Sequence, residues 1–295
     1  MAQFTRRDFL RTGAAASVLS TSGLALAKRS KRSATDWVPL GKSKVKVTRL
    51  AFGTGTFGGK VQRELGQEQF TRLVRYAYDH GIRFFETAQN YAGMHDMLRI
   101  ALAGIPRDSY RLMTKYRLQQ TDDPMTVIDR YRKELNTDYF DILLLHCVRT
   151  NDWAETFKPA RDVFDEAKQK RIIRAHGASC HGLVPIRTFP DQKWLDVSLN
   201  RINNTGVRMD NLRGTEDGEG DVTEVVGHLE KIHAQGTGVI GMKIMGEGAF
   251  STPEQRDASV RFVMQLGTVD AVTIGYKSTA EIDEAIARTN THLNS

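Results

Sequence analysis

Four side chains with complementary chemistry lie in or just after short apolar runs of the sequence. Glu86 lies in RFFET, Lys115 ends YRLMTK and His146 ends YFDILLLH, while Tyr91 follows Glu86 by five positions. Tyrosine is a weak acid with a pKa of about 10, but a neighbouring ammonium favours its phenolate. A carboxylate would keep that ammonium charged, and a histidine would orient a carbonyl through a hydrogen bond. Such a set suits protonation of a carbonyl oxygen as hydride arrives from a nicotinamide.

The pattern of strands and helices can bring these residues together. From Trp37 onward, short β-branched or aromatic runs alternate with amphipathic segments of helical period. The predicted strands are residues 49–53, 83–87, 110–115, 139–146, 171–179, 194–202, 238–244 and 269–275. Eight strand and helix repeats favour a closed (β/α)₈ barrel over an open doubly wound sheet. We therefore predict one α/β domain at residues 37–295, a TIM barrel whose floor is closed by an N-terminal β-hairpin.

The first 36 residues have the composition of an export signal followed by a linker. TRRDFLR places paired arginines before Phe9 and Leu10, a weakly apolar stretch follows, and Ala25-Leu26-Ala27 supplies a cleavage site. We predict a twin-arginine signal peptide at residues 1–27, bound by the twin-arginine export machinery, and an exposed basic linker at residues 28–36. The apolar stretch is too short to span a bilayer, so we expect a periplasmic or otherwise exported protein without a stable membrane span. An amphipathic N-terminal helix is the alternative.

Most of the positive charge belongs to this leader and linker. The formal net charge is +7, and +6 of it lies within the first 33 residues, from Arg6, Arg7, Arg11, Lys28, Arg29, Lys31 and Arg32 less Asp8. That leaves +1 for the rest of the chain. A nearly neutral body gives no reason to expect a nucleic-acid partner.

Cysteine and histidine give little support for other kinds of site. Cys147 and Cys180 are the only cysteines, which excludes a four-cysteine cluster, and we favour packed thiols over a disulfide. His176 and His181 flank the fifth predicted strand near His146. No carboxylate pair or HxH spacing accompanies them, so no metal site is predicted.

The chain resembles the aldo/keto reductases over nearly its whole length after the leader. The stretches that carry the resemblance, in order, are VTRLAFGTGTFGG, HGIRFFETAQNYAG, LMTKY, YFDILLLH, GASCH and VTIGYKSTAEIDEAI. The resemblance implies an NAD(P)-dependent oxidoreductase that transfers a hydride between nicotinamide and a carbonyl or alcohol. It makes Tyr91 the proton donor, Lys115 the group that tunes it and His146 the residue that orients the substrate. Glu86 stands where the family usually has aspartate.

The resemblance also implies where a nicotinamide cofactor would bind. Gly55 and Thr56 match a glycine and a threonine beside the cofactor, and Ser179 matches the serine that holds the carboxamide. Cys180 stands where asparagine commonly follows that serine. Three further positions are implied, the first by a looser match and the other two along the diphosphate: Asn203, Lys243 and Gly246.

The adenosine end of the implied cofactor site carries mixed charge. Lys277, Ser278 and Glu284 lie in the matching stretch, where the family often binds the 2′-phosphate of NADP with arginine or lysine. Glu281 and Asp283 add negative charge there, and a carboxylate can instead accept a hydrogen bond from a ribose hydroxyl of NAD. Lys277 and Ser278 favour NADP slightly.

The substrate and the cellular context allow more than one interpretation. The loops that would cover substrate look short, so we expect an open site suited to a sugar or glycoside. Because free nicotinamide nucleotides are not expected outside the cytoplasm, the cofactor would be bound before export and kept. Two alternatives remain: a non-catalytic carbohydrate-binding barrel, and a metal-dependent sugar isomerase or lyase on the same fold.

Overall fold

The computed structural model describes residues 31–118, 121–213 and 219–295. The predicted signal peptide at residues 1–27 and the first part of the predicted linker lie outside the described residues. Within the three described ranges, no helix is both long enough and apolar enough to cross a membrane.

Eight parallel strands form a closed barrel behind a short antiparallel hairpin. The hairpin strands are β1 (Trp37–Pro39) and β2 (Lys46–Thr48), and the barrel strands are β3 (Leu50–Gly53), β4 (Phe84–Glu86), β5 (Arg111–Arg117), β6 (Phe140–Val148), β7 (Ile173–Cys180), β8 (Val197–Arg201), β9 (Gly238–Met242) and β10 (Ala271–Gly275). Around the barrel the strands follow one another in chain order, and β10 pairs with β3 to close it. The predicted (β/α)₈ fold is confirmed, and each predicted strand overlaps an observed one.

Ten α-helices follow or link the strands in the described residues. They are α1 (Lys60–Glu64), α2 (Gly66–Asp79), α3 (Met94–Ala101), α4 (Pro124–Glu134), α5 (Trp153–Thr156), α6 (Lys158–Gln169), α7 (Leu183–Ile186), α8 (Val222–Ala234), α9 (Pro253–Gln265) and α10 (Thr279–Leu293), with single turns of 3₁₀-helix at Arg107–Ser109, Phe189–Asp191 and Gly246–Gly248. Local sequence sets several of their starts. Before α9, for example, the Thr252 side chain accepts from the backbone of Gln255, whose side chain accepts from the backbone of Thr252.

Alternation along the strands separates an inner core from an outer core. Within β6, Ile142 and Leu144 face the barrel interior, whereas Leu143 and Leu145 belong to the layer between strands and helices. The hairpin segment contributes to the inner core, because its Leu40, Val45 and Val47 are buried in the same cluster as the interior side chains. The predicted hairpin therefore closes the barrel floor.

Two strands run further than the sequence predicted. The β5–β6 ladder continues to the pair Arg117 and His146, and the β6–β7 ladder continues to Val148 and Cys180. Lys115 and His146 accordingly lie two residues before the ends of their strands rather than at the ends. Pairing with β6 continues past Lys115, and His146 pairs with Arg117 of β5, whereas the register between β6 and β7 shifts between Leu145 and Val148.

The described part of the predicted linker is not an exposed tether. Ala34 is fully buried, and its N–H donates to Asn290 Oδ1 of α10 at 2.7 Å. The Arg32 N–H donates to Asn294 Oδ1 at 2.9 Å, and Leu50 N–H of β3 donates to the Ala34 carbonyl at 2.9 Å. The compact unit begins at Arg32, five residues before the predicted start of the domain at residue 37.

Glycine at position 177 provides a test of the barrel packing. A Cβ on Gly177 of β7 would overlap the Val197 carbonyl oxygen of β8. We expect Gly177→Ala to lower the free energy of unfolding by about 3 kcal/mol, because the paired strand cannot move aside. Urea denaturation of the full chain measures this change.

Gly227 supplies the matched control for that substitution. It lies inside α8, and nothing lies within 4 Å of a Cβ built on it. Gly227→Ala should raise the free energy of unfolding by about 0.5–1 kcal/mol through helix propensity. Equal effects of the two substitutions would contradict the proposed steric conflict at Gly177.

Candidate active site

Three polar side chains follow inner-core residues on the inward faces of three neighbouring strands. Phe84 and Met113 belong to the inner core, and Glu86 and Lys115 follow them by two residues in β4 and β5. His146 follows the inner-core residue Leu144 in the same way. Side chains two residues apart in a strand face the same side, so alternation places all three at the barrel mouth.

Lys115 is the centre of this cluster. Its side chain is 1% exposed, and Nζ donates to the Thr87 carbonyl and to Tyr91 Oη, both at 3.1 Å. Nζ also forms an ion pair with Glu86 Oε1. The three ammonium N–H groups thus have three acceptors, which is what a buried charge requires. All three acceptors come from β4 and the loop that follows it.

Glu86 reaches further than an aspartate could. Its second oxygen, Oε2, accepts a hydrogen bond from Thr273 Oγ1 of β10 at 3.2 Å. Since β3 lies between β4 and β10, the side chain must pass β3, and it does so at Gly53, where an added Cβ would lie 3.1 Å from Oε2. The longer carboxylate therefore binds Lys115 and Thr273 together.

Tyr91 packs against Lys115 because the loop after β3 has a glycine, Gly55, beside the Tyr91 ring. A Cβ on Gly55 would lie 2.6 Å from the Tyr91 hydroxyl oxygen, so only glycine leaves room for the ring. The Lys115 ammonium lies 4.7 Å from the centroid of that ring in addition to its hydrogen bond with Oη. The predicted catalytic pair is thus in direct contact.

His146 completes the cluster as a neutral imidazole. Its ring lies 5.6 Å from the Tyr91 ring at an interplanar angle of 83°. Burial lowers the pKa of His146 well below 6.5, and the charges of Lys115 and Arg149 lower it further. Nδ1 is buried and has no hydrogen-bond partner in the described structure.

A cavity of about 510 Å³ runs from this cluster across the mouth of the barrel. Glu86, Tyr91 and Thr273 line one end, and Lys277, Glu281 and Glu284 line the other. Five of the residues predicted to bind a cofactor are among the lining residues, namely Gly55, Thr56, Lys243, Lys277 and Glu284. Gly246 lies between two further lining residues, Met245 and Glu247.

The charges along the cavity are largely paired. Arg256 Nε donates to Glu284 Oε1 at 2.6 Å, and Lys243 forms an ion pair with Glu247. The Glu281 carboxylate accepts from the Lys277 backbone N–H at 2.7 Å, which places a negative charge at the adenosine end predicted from the sequence. Any anion bound here meets carboxylates as well as cations.

Four predicted cofactor residues are engaged elsewhere. Ser179 Oγ accepts from the Cys147 N–H at 2.8 Å, and the fully buried Cys180 thiol donates to the Gly182 carbonyl at 3.4 Å. The Asn203 side chain organises the turn that follows β8, where its Oδ1 accepts from Gly206 N–H at 2.9 Å. Ser278 Oγ caps helix α10. None of these four residues lines the cavity, and each of their side chains bonds a backbone group.

The sequence did not reveal two side chains that contribute to the site. Thr273 is the single hydroxyl residue in the β10 sequence AVTIG, and that isolated polarity was the available signal. Glu247 accepts from the Phe57 N–H at 3.2 Å and so joins the loops after β9 and β3 across the cavity. Its left-handed backbone, with φ of 55°, could not be read from the sequence. Among the described residues, no group of three or more His, Cys, Asp or Glu side chains could hold a metal ion.

Comparisons with known proteins assign this architecture. Residues 49–293 match the model of the aldo/keto reductase family. A probable aldo-keto reductase 1 of Glycine max is 27% identical over 149 residues, which cover 46% of this chain and 43% of that protein. Methylglyoxal reductase DkgB of Salmonella typhi is 29% identical over 136 residues, which cover 45% of this chain and 48% of that protein. The chain thus spans about half the length of the curated relatives it matches.

Solved structures share the fold across most of the chain. A putative aldo-keto reductase from Pseudomonas aeruginosa is 20% identical with a TM-score of 0.69, covering 88% of this chain and 97% of that one. An aldo-keto reductase from Klebsiella pneumoniae in complex with NADPH is 15% identical with a TM-score of 0.64, covering 86% and 89%. At these identities the likeness shows the fold alone.

The hydrogen bond between Glu86 and Thr273 can be tested by measuring the free energy of unfolding. Thr273→Val should lower the free energy of unfolding by about 1.5–3 kcal/mol, because the hydrogen bond to a charged group is lost. In a Glu86→Asp background the same substitution should cost much less, since the shorter side chain has already lost Thr273. A double-mutant cycle by urea denaturation measures the coupling, and additive effects would contradict the shared carboxylate.

Buried neutral histidine predicts a pH dependence of stability. The pKa of His146 is lowered on folding, so the unfolded chain binds the proton more tightly. Stability is therefore fully present above the unfolded pKa of about 6.5 and falls as the pH decreases below it, by up to about 1.4 kcal/mol per pH unit.

One substitution isolates this contribution. His146→Gln should reduce the fall in unfolding free energy between pH 6.5 and 5, because the glutamine side chain does not titrate. Denaturation curves of the wild type and the variant at several pH values measure the difference. Identical pH dependence in the wild type and in His146→Gln would show that His146 is not buried neutral.

Proposed function

The chain belongs to the aldo/keto reductase family, and we propose that it is a nicotinamide-dependent oxidoreductase that transfers a hydride between the cofactor and a small carbonyl or alcohol. The observation that carries this proposal is the contact of Lys115 Nζ with Tyr91 Oη at 3.1 Å, with the His146 ring beside it. These are the groups needed to protonate and orient a carbonyl oxygen.

The cavity has the properties that a nicotinamide dinucleotide requires. Residues after β3, β4, β9 and β10 line it, and Lys243, Arg256 and Lys277 are the cations among its lining residues. Tyr276 also lines it, with a buried hydroxyl that has no hydrogen-bond partner in the described structure. A Cβ on Gly275 would strike Thr56 Oγ1, so glycine at this position lets the Thr56 side chain pack directly on the backbone beside the cavity. These features support the assignment of the cavity to the cofactor.

We favour NADP(H) over NAD(H) as the cofactor. Lys277 lines the adenosine end of the cavity, and the related Klebsiella pneumoniae structure contains NADPH. Glu281 argues in the other direction, because its carboxylate would repel a 2′-phosphate. Lys277 supplies a cation at the same end of the cavity, which would partly offset that repulsion.

The protein side of the reaction follows from the cluster. When bound, the nicotinamide would supply or accept the hydride at the substrate carbon. Tyr91 would donate its proton to the carbonyl oxygen, and the Lys115 ammonium would stabilise the phenolate that remains. Glu86 holds Lys115 charged and in place through the ion pair. Neutral His146 would bind the carbonyl oxygen and orient it.

The substrate and location remain part of this proposal. We propose a sugar, glycoside or other small carbonyl compound as substrate, and the Salmonella typhi relative is named a methylglyoxal reductase. The arginine pair in TRRDFLR supports export by the twin-arginine machinery to the periplasm with cofactor already bound. The Glu247 link across the cavity supports retention of such a cofactor.

The cofactor part is tested on the full chain purified after export. We expect released nucleotide to approach one equivalent and mass spectrometry to identify it as NADP(H). Purified protein that carries no nucleotide and binds neither NADP(H) nor NAD(H) below millimolar concentrations would contradict the proposal.

The chemical part is tested at Tyr91. Tyr91→Phe should lower the rate of hydride transfer by about 100-fold or more, because the proton donor is lost, while nucleotide binding persists. Tyr78→Phe is the matched control, since that hydroxyl bonds Ser109 in the outer layer at 2.8 Å. Activity retained in Tyr91→Phe would favour a different proton donor, and binding without any turnover in the wild type would favour a non-catalytic barrel.

A further inference from the structure

A second polar cluster lies beside His146 and has no part in the proposed hydride transfer. It contains Cys147 of β6, His181 directly after β7 and Arg201 of β8. The His181 ring lies 6.4 Å from the His146 ring. Arg201 is fully buried, and its Nη1 lies 3.6 Å from the equally buried Asp210 Oδ1. The cluster therefore places a thiol, an imidazole and a charge pair next to the candidate carbonyl site.

An irregularity in β6 aims Cys147 away from its regular direction. Leu145 and Val148 on either side are fully buried, and the β6–β7 register shifts between them. Cys147 has a left-handed backbone with φ of 61°, and its N–H donates to Ser179 Oγ at 2.8 Å. Bulges of this kind redirect a side chain, here into a half-buried position at the barrel mouth.

Hydrogen-bond chemistry determines which partner donates to the sulfur. Arg201 Nη2 lies 2.6 Å from His181 Nδ1, and a guanidinium can only donate, so Nδ1 is the acceptor. The proton of the neutral ring then sits on Nε2, which lies 3.3 Å from Cys147 Sγ. Burial and the charge of Arg201 lower the pKa of His181 well below 6.5, in agreement with a neutral ring. His181 is thus a donor to sulfur, and a donor favours thiolate.

The neighbouring His146 indicates the kind of ligand. Its Nδ1 is buried without a protein partner, and the residue is 7% exposed. A carbonyl oxygen bound there would lie beside the residue that carries the thiol. In an α,β-unsaturated carbonyl compound, the β-carbon is the electrophilic atom that a thiolate attacks, and it lies three bonds from the carbonyl oxygen.

We propose that Cys147 is a nucleophilic thiol that forms covalent adducts with α,β-unsaturated aldehydes or ketones bound through their carbonyl oxygen at His146. The Cys147 thiol first loses its proton to water. The sulfur–carbon bond then forms at the β-carbon as the carbon–carbon π bond breaks, and the α-carbon takes a proton from water, so the addition exchanges no net proton with solvent. The step needs no oxidant or reductant. This inference rests on the proposed function in one respect only, namely that the ligand is a carbonyl compound.

The test follows alkylation of the full chain by acrolein, in the absence of added nucleotide, with peptide mapping by mass spectrometry. At pH 6.5 an ordinary thiol with a pKa of about 8.5 is roughly 1% thiolate. We expect Cys147 to react at least about tenfold faster than free cysteine at that pH, because its thiolate fraction is larger. Cys180 is the internal control, since burial raises the pKa of its thiol well above 9.

Two substitutions at His181 test the assigned donor. His181→Leu should slow alkylation of Cys147 by about tenfold, whereas His181→Gln should retain much of the rate, because its amide N–H can still donate to sulfur. Unfolding curves accompany both variants. The pH dependence of the wild-type alkylation rate tests the proposal without any substitution. A midpoint below that of free cysteine would support it.

Separate outcomes distinguish this inference from the proposed function. Reaction of Cys147 at the rate and pH dependence of free cysteine, or reaction of Cys180 at the same rate as Cys147, would overturn the inference and leave the oxidoreductase proposal intact. Rapid alkylation of Cys147 in a chain that binds no nicotinamide nucleotide would support the inference while contradicting the proposed function.

Discussion

The buried charge of Lys115 is the constraint on which the candidate site depends. An ammonium removed from water is tolerated only when each donor meets an acceptor, and here the acceptors are Glu86, the Thr87 carbonyl and Tyr91. All three acceptors belong to the end of β4 or to the loop after it. The charge on β5 therefore requires this loop to pack directly over Lys115. Gly53 and Gly55 make this closure possible, because neither obstructs the carboxylate or the tyrosine ring.

Much of the barrel was predictable because its signals are local and repeated. Alternation of apolar runs with amphipathic segments located all eight strands, and the polar residues that end Phe84-Phe85-Glu86 and Leu144-Leu145-His146 marked the mouth. The extension of β5 and β6 was not predictable, because it depends on pairing with the next strand rather than on either sequence. The burial of Ala34 likewise depends on Asn290, a residue 256 positions away.

The cofactor residues show the limit of position-by-position comparison. Lys243 and Lys277 line the cavity, whereas Cys180 at the end of β7 and Asn203 after β8 bond backbone groups with their side chains. A linear motif does not encode such side-chain bonds to backbone. Thr273 was not predicted as a site residue, and it contacts the site because the longer side chain of Glu86 reaches its hydroxyl.

The bonds of Ala34 and Arg32 to α10 join the start of the folded unit to its last helix. Closing a loop of that length carries a large entropic cost, which only the assembled barrel can offset. Because Asn290 and Asn294 follow β10 in the chain, residues 32–34 cannot make these bonds until every barrel strand has been synthesised. The docked segment is therefore a marker of a barrel whose strands are all in place.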